Sequence, residues 1–109
     1  MIEVREYTDA DGDCPYVKWF DGLNAQAAAK VAIAVTRMAQ GNLSNVKSVG
    51  SGVYEKGIDF GLGYRVYFGK DSDRLVILLG GGTKKRQQAD IRFAQALWKD
   101  YKQRKRRER

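Results

Sequence analysis

Apolar and charged residues alternate over residues 2–7, and this alternation predicts a first strand at the edge of a sheet. An acidic turn follows at residues 9–13. Its spacing resembles a calcium loop, but Phe20 stands where that loop needs a bidentate glutamate, so we expect no metal there. A short helix is then predicted over residues 15–22, because Asp13 can cap it and a proline is tolerated in its first turn.

A second helix is predicted over residues 25–40, between an N-terminal cap at Asn24 and a stop at Gly41. Its apolar residues recur at intervals of three and four, which predicts one core-facing stripe. The stripe consists of Ala28, Val31, Ala32, Val35 and Met38. The two helices form a hairpin. Residues 42–52 are rich in Ser, Gly and Asn and are predicted to form a loop, which carries Lys47.

Three further strands are predicted over residues 53–60, 64–69 and 74–79, with a turn at residues 70–73. The first is interrupted by a glycine. The last is a continuous apolar run, which is typical of a central strand covered on both faces.

The spacing becomes helical from Lys84 or Lys85. The core-facing positions of this C-terminal helix are Ile91, Ala94, Trp98 and Tyr101. The order β, α, α, β, β, β, α predicts one α+β domain over residues 1–109. We expect the helical hairpin and the C-terminal helix to pack on a small, mainly antiparallel sheet.

Charge changes this picture mainly at the C-terminus. Twenty Lys and Arg stand against 13 Asp and Glu, and the formal net charge of +7 favours a nucleic acid or an acidic protein as partner. Residues 99–109 hold seven cations and two anions. Because little can be buried after Tyr101, we expect residues 102–109 to fray as a basic tail.

The chain contains no histidine, which excludes Ser-His and Cys-His catalytic pairs, histidine metal sites and two-histidine ribonucleases. Acid–base chemistry would have to use Lys, Arg, Tyr, Asp or Glu. We expect no metal and no cofactor. The single cysteine, Cys14, is interpreted as a small buried residue and suits a reducing cytoplasm. No signal peptide or membrane-spanning run is evident, so we expect a cytoplasmic protein without a membrane partner.

The strand predicted over residues 64–69 provides the first candidate for chemistry. Arg65 and Tyr67 share one face of this strand, because side chains alternate. If the residues between them pack on the helical hairpin, Arg65 and Tyr67 stand on the opposite, more open face. The alternative is a solvated arginine beside a half-buried tyrosine.

A second candidate for chemistry is the run Gly80-Gly-Gly-Thr-Lys-Lys, because glycines let a backbone approach an anion near the start of a helix. Lys84, Lys85 and Arg86 follow in succession, which favours an RNA or DNA phosphate. The order of residues is not that of a P-loop, and no dinucleotide fingerprint occurs. The alternative is a glycine-rich strand exit before a helix cap.

With these motifs placed, the chain resembles the RelE/ParE toxin superfamily of type II toxin–antitoxin systems, in particular its HigB-like addiction module killer branch. The resemblance covers nearly the whole chain. It is carried by Gly63-Tyr-Arg-Val-Tyr-Phe68, Leu78-Leu-Gly-Gly-Gly-Thr-Lys84 and the following Gln87/Gln88-x-Asp90-Ile91, and more loosely by Tyr16-Val-Lys-Trp19 with Leu23.

The resemblance implies a ribosome-dependent mRNA endonuclease that needs no metal and inhibits translation. In such enzymes the ribose 2′-oxygen attacks the adjacent phosphate. The implied partners are mRNA on the ribosome and a cognate helix-turn-helix antitoxin, which could form a hetero-oligomer with the toxin.

The resemblance also assigns roles to residues. Arg65 matches the strand arginine that grips the scissile phosphate, and Lys84 matches a phosphate clamp or proton donor. Tyr67 and Lys56 are candidates for base stacking or acid–base work. The candidate RNA-binding residues are Lys47, Lys56, Lys85 and Arg86.

One departure from this family concerns the strand before the hairpin. The branch usually has Glu-Leu-Arg there, whereas this chain has Glu55-Lys56-Gly57. Lys56 can substitute for the missing arginine only if a bulge at Gly57 re-aims it, because neighbouring strand residues face opposite ways. Two alternatives therefore stay open: a ParE-like inhibitor of DNA gyrase, and a non-catalytic protein that binds antitoxin or nucleic acid.

Overall fold

A five-stranded sheet with helices on both faces forms the framework in the computed structural model, which describes residues 1–108. Its elements are β1 (Glu3–Glu6), α1 (Pro15–Asp21), α2 (Ala25–Ala39), β2 (Val46–Ser48), β3 (Val53–Ile58), β4 (Tyr64–Ser72), β5 (Leu75–Thr83) and α3 (Gln87–Arg107). The strands lie in the order β1-β5-β4-β3-β2. β1 runs parallel to β5, and the other pairs are antiparallel. The predicted α+β fold is confirmed, with β1 at one edge.

The sheet differs from the prediction at β2 and in the hairpin. β2 lies inside the segment predicted to be a loop, where Val46 pairs with Lys56 of β3. β4 and β5 are both longer than expected, so only two residues connect Ser72 to Leu75. Because Tyr64 pairs with Thr83, β5 continues through the glycine run instead of ending before it.

α1 begins differently from the prediction, because its N-cap is Cys14, which makes no side-chain cap bond. Asp13 instead lies 3.4 Å from the ammonium of Lys18. The carboxylate of Asp9 organises the preceding turn by accepting hydrogen bonds from the backbone amides of Asp11 and Asp13, both at 2.9 Å. Cys14 is half-buried instead of fully buried.

α2 begins at the predicted cap, where the side chain of Asn24 accepts a hydrogen bond from the amide of Ala27 at 2.9 Å. It ends just before Gly41, whose φ of +92° is a conformation that glycine adopts without strain. Its buried residues are Ala27, Val31, Ala34 and Met38. Ala32, which we expected in this stripe, is exposed, because the buried stripe is centred on Val31 and Ala34.

The sheet buries a hydrophobic core on each face. On the hairpin face, Val66, Phe68 and other strand residues pack with α1 and α2. On the α3 face, Tyr67, Leu79 and their neighbours pack with α3. The predicted core positions of α3 are confirmed: Ile91, Ala94 and Trp98 are buried and Tyr101 packs against them.

The basic segment after Tyr101, which we expected to fray, continues α3 as far as Arg107. Arg104 contacts Asp100 at 2.9 Å and Lys105 contacts Asp71, so two of its cations are engaged with the body of the domain. Arg109, which also belongs to the predicted tail, lies outside the described residues. No helix within residues 1–108 is long and apolar enough to cross a membrane.

Candidate nucleic-acid interface

A cleft of about 320 Å³ opens at the end of the sheet where β4 begins. Its polar lining includes Lys47, Glu55 and Arg65. Arg65 is paired with Gly82 across the hairpin, so Lys84 follows β5 at the same end of the sheet. The hairpin therefore places a cation of β4 and the cations that follow β5 at one end of the sheet.

Glu55 is the buried centre of this cleft and the residue that the sequence did not single out. Its side chain is only 4% exposed. Its carboxylate lies 3.3 Å from the Nε of Arg65, accepts a hydrogen bond from Gln87 at 2.9 Å, and lies 3.7 Å from the Nζ of Lys47. A carboxylate on the inward face of a strand requires such partners, and that requirement was the available signal.

Arg65 is held in place from two sides. Besides contacting Glu55, its Nη1 donates to the backbone carbonyl of Gly63 at 2.9 Å. Its side chain remains 18% exposed. A guanidinium that is fixed yet open to solvent can present its free donors to a phosphate oxygen with little loss of side-chain entropy.

Tyr67 lies beside this group but is 1% exposed. The prediction of a more open face is therefore wrong at this residue, because α3 covers it. Its hydroxyl has no hydrogen-bond partner among the described residues. Burial and the nearby charge of Glu55 raise the pKa of Tyr67. Its ring has no free face on which a base could stack.

Lys56 is on the other face of the sheet and does not join the cleft. The pairing of β3 with β4 continues without a bulge from Lys56 to Gly57, so nothing re-aims the lysine. Its ammonium donates to the backbone carbonyl of Ser44 at 2.5 Å. Burial, with a contribution from Arg37, lowers the pKa of Lys56.

Gly57 lies directly opposite Arg65 in the β3–β4 pair. Asn45 occupies the space beside it: its Nδ2 donates to the carbonyl of Gly57 at 2.8 Å and would lie 2.7 Å from a Cβ at position 57. The place where the resembling family has a second arginine is therefore filled by an asparagine side chain.

Two of the three glycines near the end of β5 leave space for side chains of other elements. A Cβ at Gly81 would lie 2.4 Å from the ring of Trp19, and one at Gly82 would lie 2.1 Å from a carboxylate oxygen of Asp90. Of the two interpretations of this run, the glycine-rich strand exit describes the backbone, which is strand through Thr83.

The cations after this strand are nevertheless exposed. Lys84, Lys85 and Arg86 form one turn of 3₁₀ helix before α3, and none of them forms an ion pair within residues 1–108. Beside them lies Asp90, where burial raises the pKa of the carboxyl group and the charge of Arg86 opposes that shift. The end of the sheet thus carries more positive than negative charge, which suits a polyanion.

Comparison with known proteins shows that the chain is similar to an uncharacterized bacterial protein. No protein-family model matches it. The chain is 44% identical over 80 residues to an uncharacterized protein of Haemophilus influenzae, and the match covers 72% of this chain and 81% of that protein. The chain therefore belongs to the same family as this Haemophilus influenzae protein.

Proposed function

We propose that this protein is the toxin of a type II toxin–antitoxin system, a HigB-like member of the RelE/ParE superfamily that cleaves mRNA on the ribosome without a metal. It would act in the cytoplasm and be neutralised by a helix-turn-helix antitoxin. The observation that carries the proposal is the cleft in which Arg65 is fixed beside Lys47, with the cations of residues 84–86 at the same end of the sheet. The sequence motifs described above support the same assignment.

The chemistry of the cleft suits cleavage by the RNA's own 2′-oxygen. The bond from the 2′-oxygen to phosphorus forms as the bond from phosphorus to the 5′-oxygen breaks, leaving a 2′,3′-cyclic phosphate and a 5′-hydroxyl. Arg65 would hold the phosphate and stabilise the charge that develops on it. Of the two carboxylates that line the cleft, Glu55 and Asp59, Glu55 is the one in contact with Arg65 and would accept the 2′-hydroxyl proton, and Lys84 would return a proton to the leaving oxygen.

The decisive experiment is induced expression in a bacterial host together with translation of a reporter mRNA in a purified system. We expect growth arrest and ribosome-dependent cuts that leave 5′-hydroxyl ends. Arg65→Ala should lower cleavage at least about 100-fold, since it removes a donor aimed at the developing charge. The matched control is Arg74→Ala, which removes an exposed arginine from the other end of the same hairpin. Intact reporter mRNA with the wild-type protein would contradict the proposal.

A second candidate, binding without cleavage, is favoured by the glycine at position 57. With Asn45 in the place of a second arginine, the cleft offers fewer donors for a transition state than the family pattern. The protein would then inhibit DNA gyrase, as ParE-like toxins do, or would only bind antitoxin or nucleic acid. Inhibition of DNA supercoiling by the purified protein would identify the first of these. Tight RNA binding without cleavage would identify the second.

A further inference from the structure

Exposed cations recur every seven residues along the outer face of α3. Arg92, Lys99 and Arg106 are all exposed. Seven residues make nearly two helical turns, so these three side chains project from the same side of the helix. At a rise of 1.5 Å per residue, they span about 21 Å. We call these three residues the α3 stripe.

The α3 stripe differs from two neighbouring cations of the same helix, Arg104 and Lys105, in having no ion-pair partner among the described residues. Arg104 contacts Asp100 and Lys105 contacts Asp71. Within residues 1–108, no residue of the α3 stripe forms an ion pair. Three unneutralised charges in a row produce a positive potential along this face, which suits a chain of phosphates better than a single anion.

The helix that carries the α3 stripe begins at the cleft, because its first residue, Gln87, donates a hydrogen bond to Glu55 at 2.9 Å. Lys85 precedes Arg92 by seven residues and lies in the turn that borders the end of the sheet. Next to Arg92, the side chain of Phe93 is 54% exposed. Phe93 projects about 100° around the helix from Arg92 and so lies outside the α3 stripe. A row of cations of this kind tracks the backbone of a single-stranded nucleic acid without sequence preference.

We propose that the α3 stripe binds the sugar–phosphate backbone of single-stranded RNA next to the segment held in the cleft. The choice of RNA rests on the proposed function, whereas the site and its charge complementarity come from α3 itself. The α3 stripe would lengthen the footprint on RNA and would contribute affinity and salt dependence without contacting the scissile phosphate.

The test measures binding of a labelled 2′-O-methyl RNA, which lacks the attacking hydroxyl and so cannot be cut. The Kd is determined over a range of salt concentrations for R92Q/K99Q/R106Q. Each lost phosphate contact lowers the slope of log K against log salt by about 0.7 for single strands, so we expect a decrease of about 2. The double variant R92K/R106K, which keeps every charge, should retain the wild-type slope.

The matched control, K30Q/R37Q/R74Q, removes the same net charge from exposed positions on α2 and the β4–β5 turn. Its slope should change by less than half as much. Equal slopes for the two triple variants would overturn the inference, because the effect would then be one of net charge. Binding of polyglutamate as tight as that of RNA would also overturn it, in favour of an acidic protein partner.

The outcome is separable from that of the proposed function. If the wild-type protein leaves translated mRNA intact but loss of the α3 stripe lowers the salt slope, the proposed cleavage is wrong and the binding surface stands. If mRNA is cut and the slope does not respond to loss of the α3 stripe, the cleavage stands and the binding surface is wrong.

Discussion

The two ends of α3 differ in how the charged residues around them are paired. At the C-terminal end, two carboxylates have close partners: Asp100 accepts a hydrogen bond from Tyr7 at 2.5 Å, and Asp71 accepts one from Tyr101 at 2.5 Å. At the N-terminal end, Glu55 is shared among several donors, and the neighbouring cations of residues 84–86 form no ion pair within residues 1–108.

The contacts at the C-terminal end hold α3 against the rest of the domain, whereas the N-terminal end presents a surface that suits a ligand. The C-terminal pairs tie the helix to Tyr7, which follows β1, and to the β4–β5 hairpin, whereas Lys99 and Arg106 on the outer face form no ion pair within residues 1–108. At the N-terminal end, the buried carboxylate fixes Arg65 while the surrounding cations stay accessible. The unneutralised cations of this domain, whose net charge is +7, thus include those at the cleft and along the α3 stripe.

The largest expected effect is the loss of stability on removing the side chain of Trp98, which packs α3 against the sheet. This side chain is 4% exposed, and its ring would lie 2.4 Å from a Cβ at Gly69, so strand and helix are in direct contact there. Trp98→Ala should lower the free energy of unfolding by about 3–5 kcal/mol, because it removes buried apolar area and leaves a cavity. Urea denaturation measures the change.

Phe93→Ala is the matched control, since Phe93 is an aromatic residue of the same helix that is 54% exposed. Its free energy of unfolding should change by less than about 0.5 kcal/mol. Similar losses for the two variants would show that α3 is not fastened to the sheet through Trp98.

Glu55 provides the next test, at the other end of the helix. Glu55→Ala leaves the guanidinium of Arg65 and the amide of Gln87 without their acceptor, which should lower the free energy of unfolding by about 2 kcal/mol. Glu55→Gln keeps an acceptor in place and should cost less. If the carboxylate also accepts the 2′-hydroxyl proton, Glu55→Gln should abolish mRNA cleavage while binding of 2′-O-methyl RNA persists.

The control is Glu6→Ala, which removes an exposed glutamate that forms no ion pair within residues 1–108. It should leave both stability and cleavage unchanged. Full cleavage by Glu55→Gln would limit Glu55 to a positioning role for Arg65.

Periodicity was enough to predict much of the fold. The Asn24 cap, the spacing of Ile91 and Trp98 and the alternation at β1 are local signals, and each matches the structure. β2 escaped prediction because three residues are too few to display alternation. The packing role of Gly81 and Gly82 could not be predicted from the sequence, because it depends on Trp19 and Asp90, which belong to other elements and lie against these glycines.

The candidate site was less predictable because its determinants are contacts distant in the sequence. Arg65 and Lys84 could be brought together from strand pairing alone. The burial of Tyr67, however, depends on where α3 packs. Gln87, which donates a hydrogen bond to Glu55, is 32 residues away from it in the sequence. The orientation of Lys56 followed from simple alternation once the absence of a bulge between it and Gly57 was known.

The smallest expected effect is a difference in the sign of pH dependence between the two ends of α3. At the C-terminal end, hydrogen bonds from Lys105 and Tyr101 lower the pKa of Asp71. Its stabilisation is complete above the unfolded value of about 3.9 and is lost as the pH falls through the folded value. At the N-terminal end, burial raises the pKa of Asp90, so its favourable contribution is lost as the pH rises through the folded value.

Asparagine substitutions separate these two cases. Relative to the wild type, Asp71→Asn should be less stable at pH 7, and the difference should shrink as the pH falls below about 4. Asp90→Asn should be more stable at pH 7 and should approach the wild type in acid. Each change should stay below about 1 kcal/mol, because the Lys105 partner of Asp71 is 45% exposed and Asp90 is only partly buried. Urea midpoints from pH 3 to pH 7 measure both, and curves of the same sign would mean that the two ends of α3 do not differ in how they hold a negative charge.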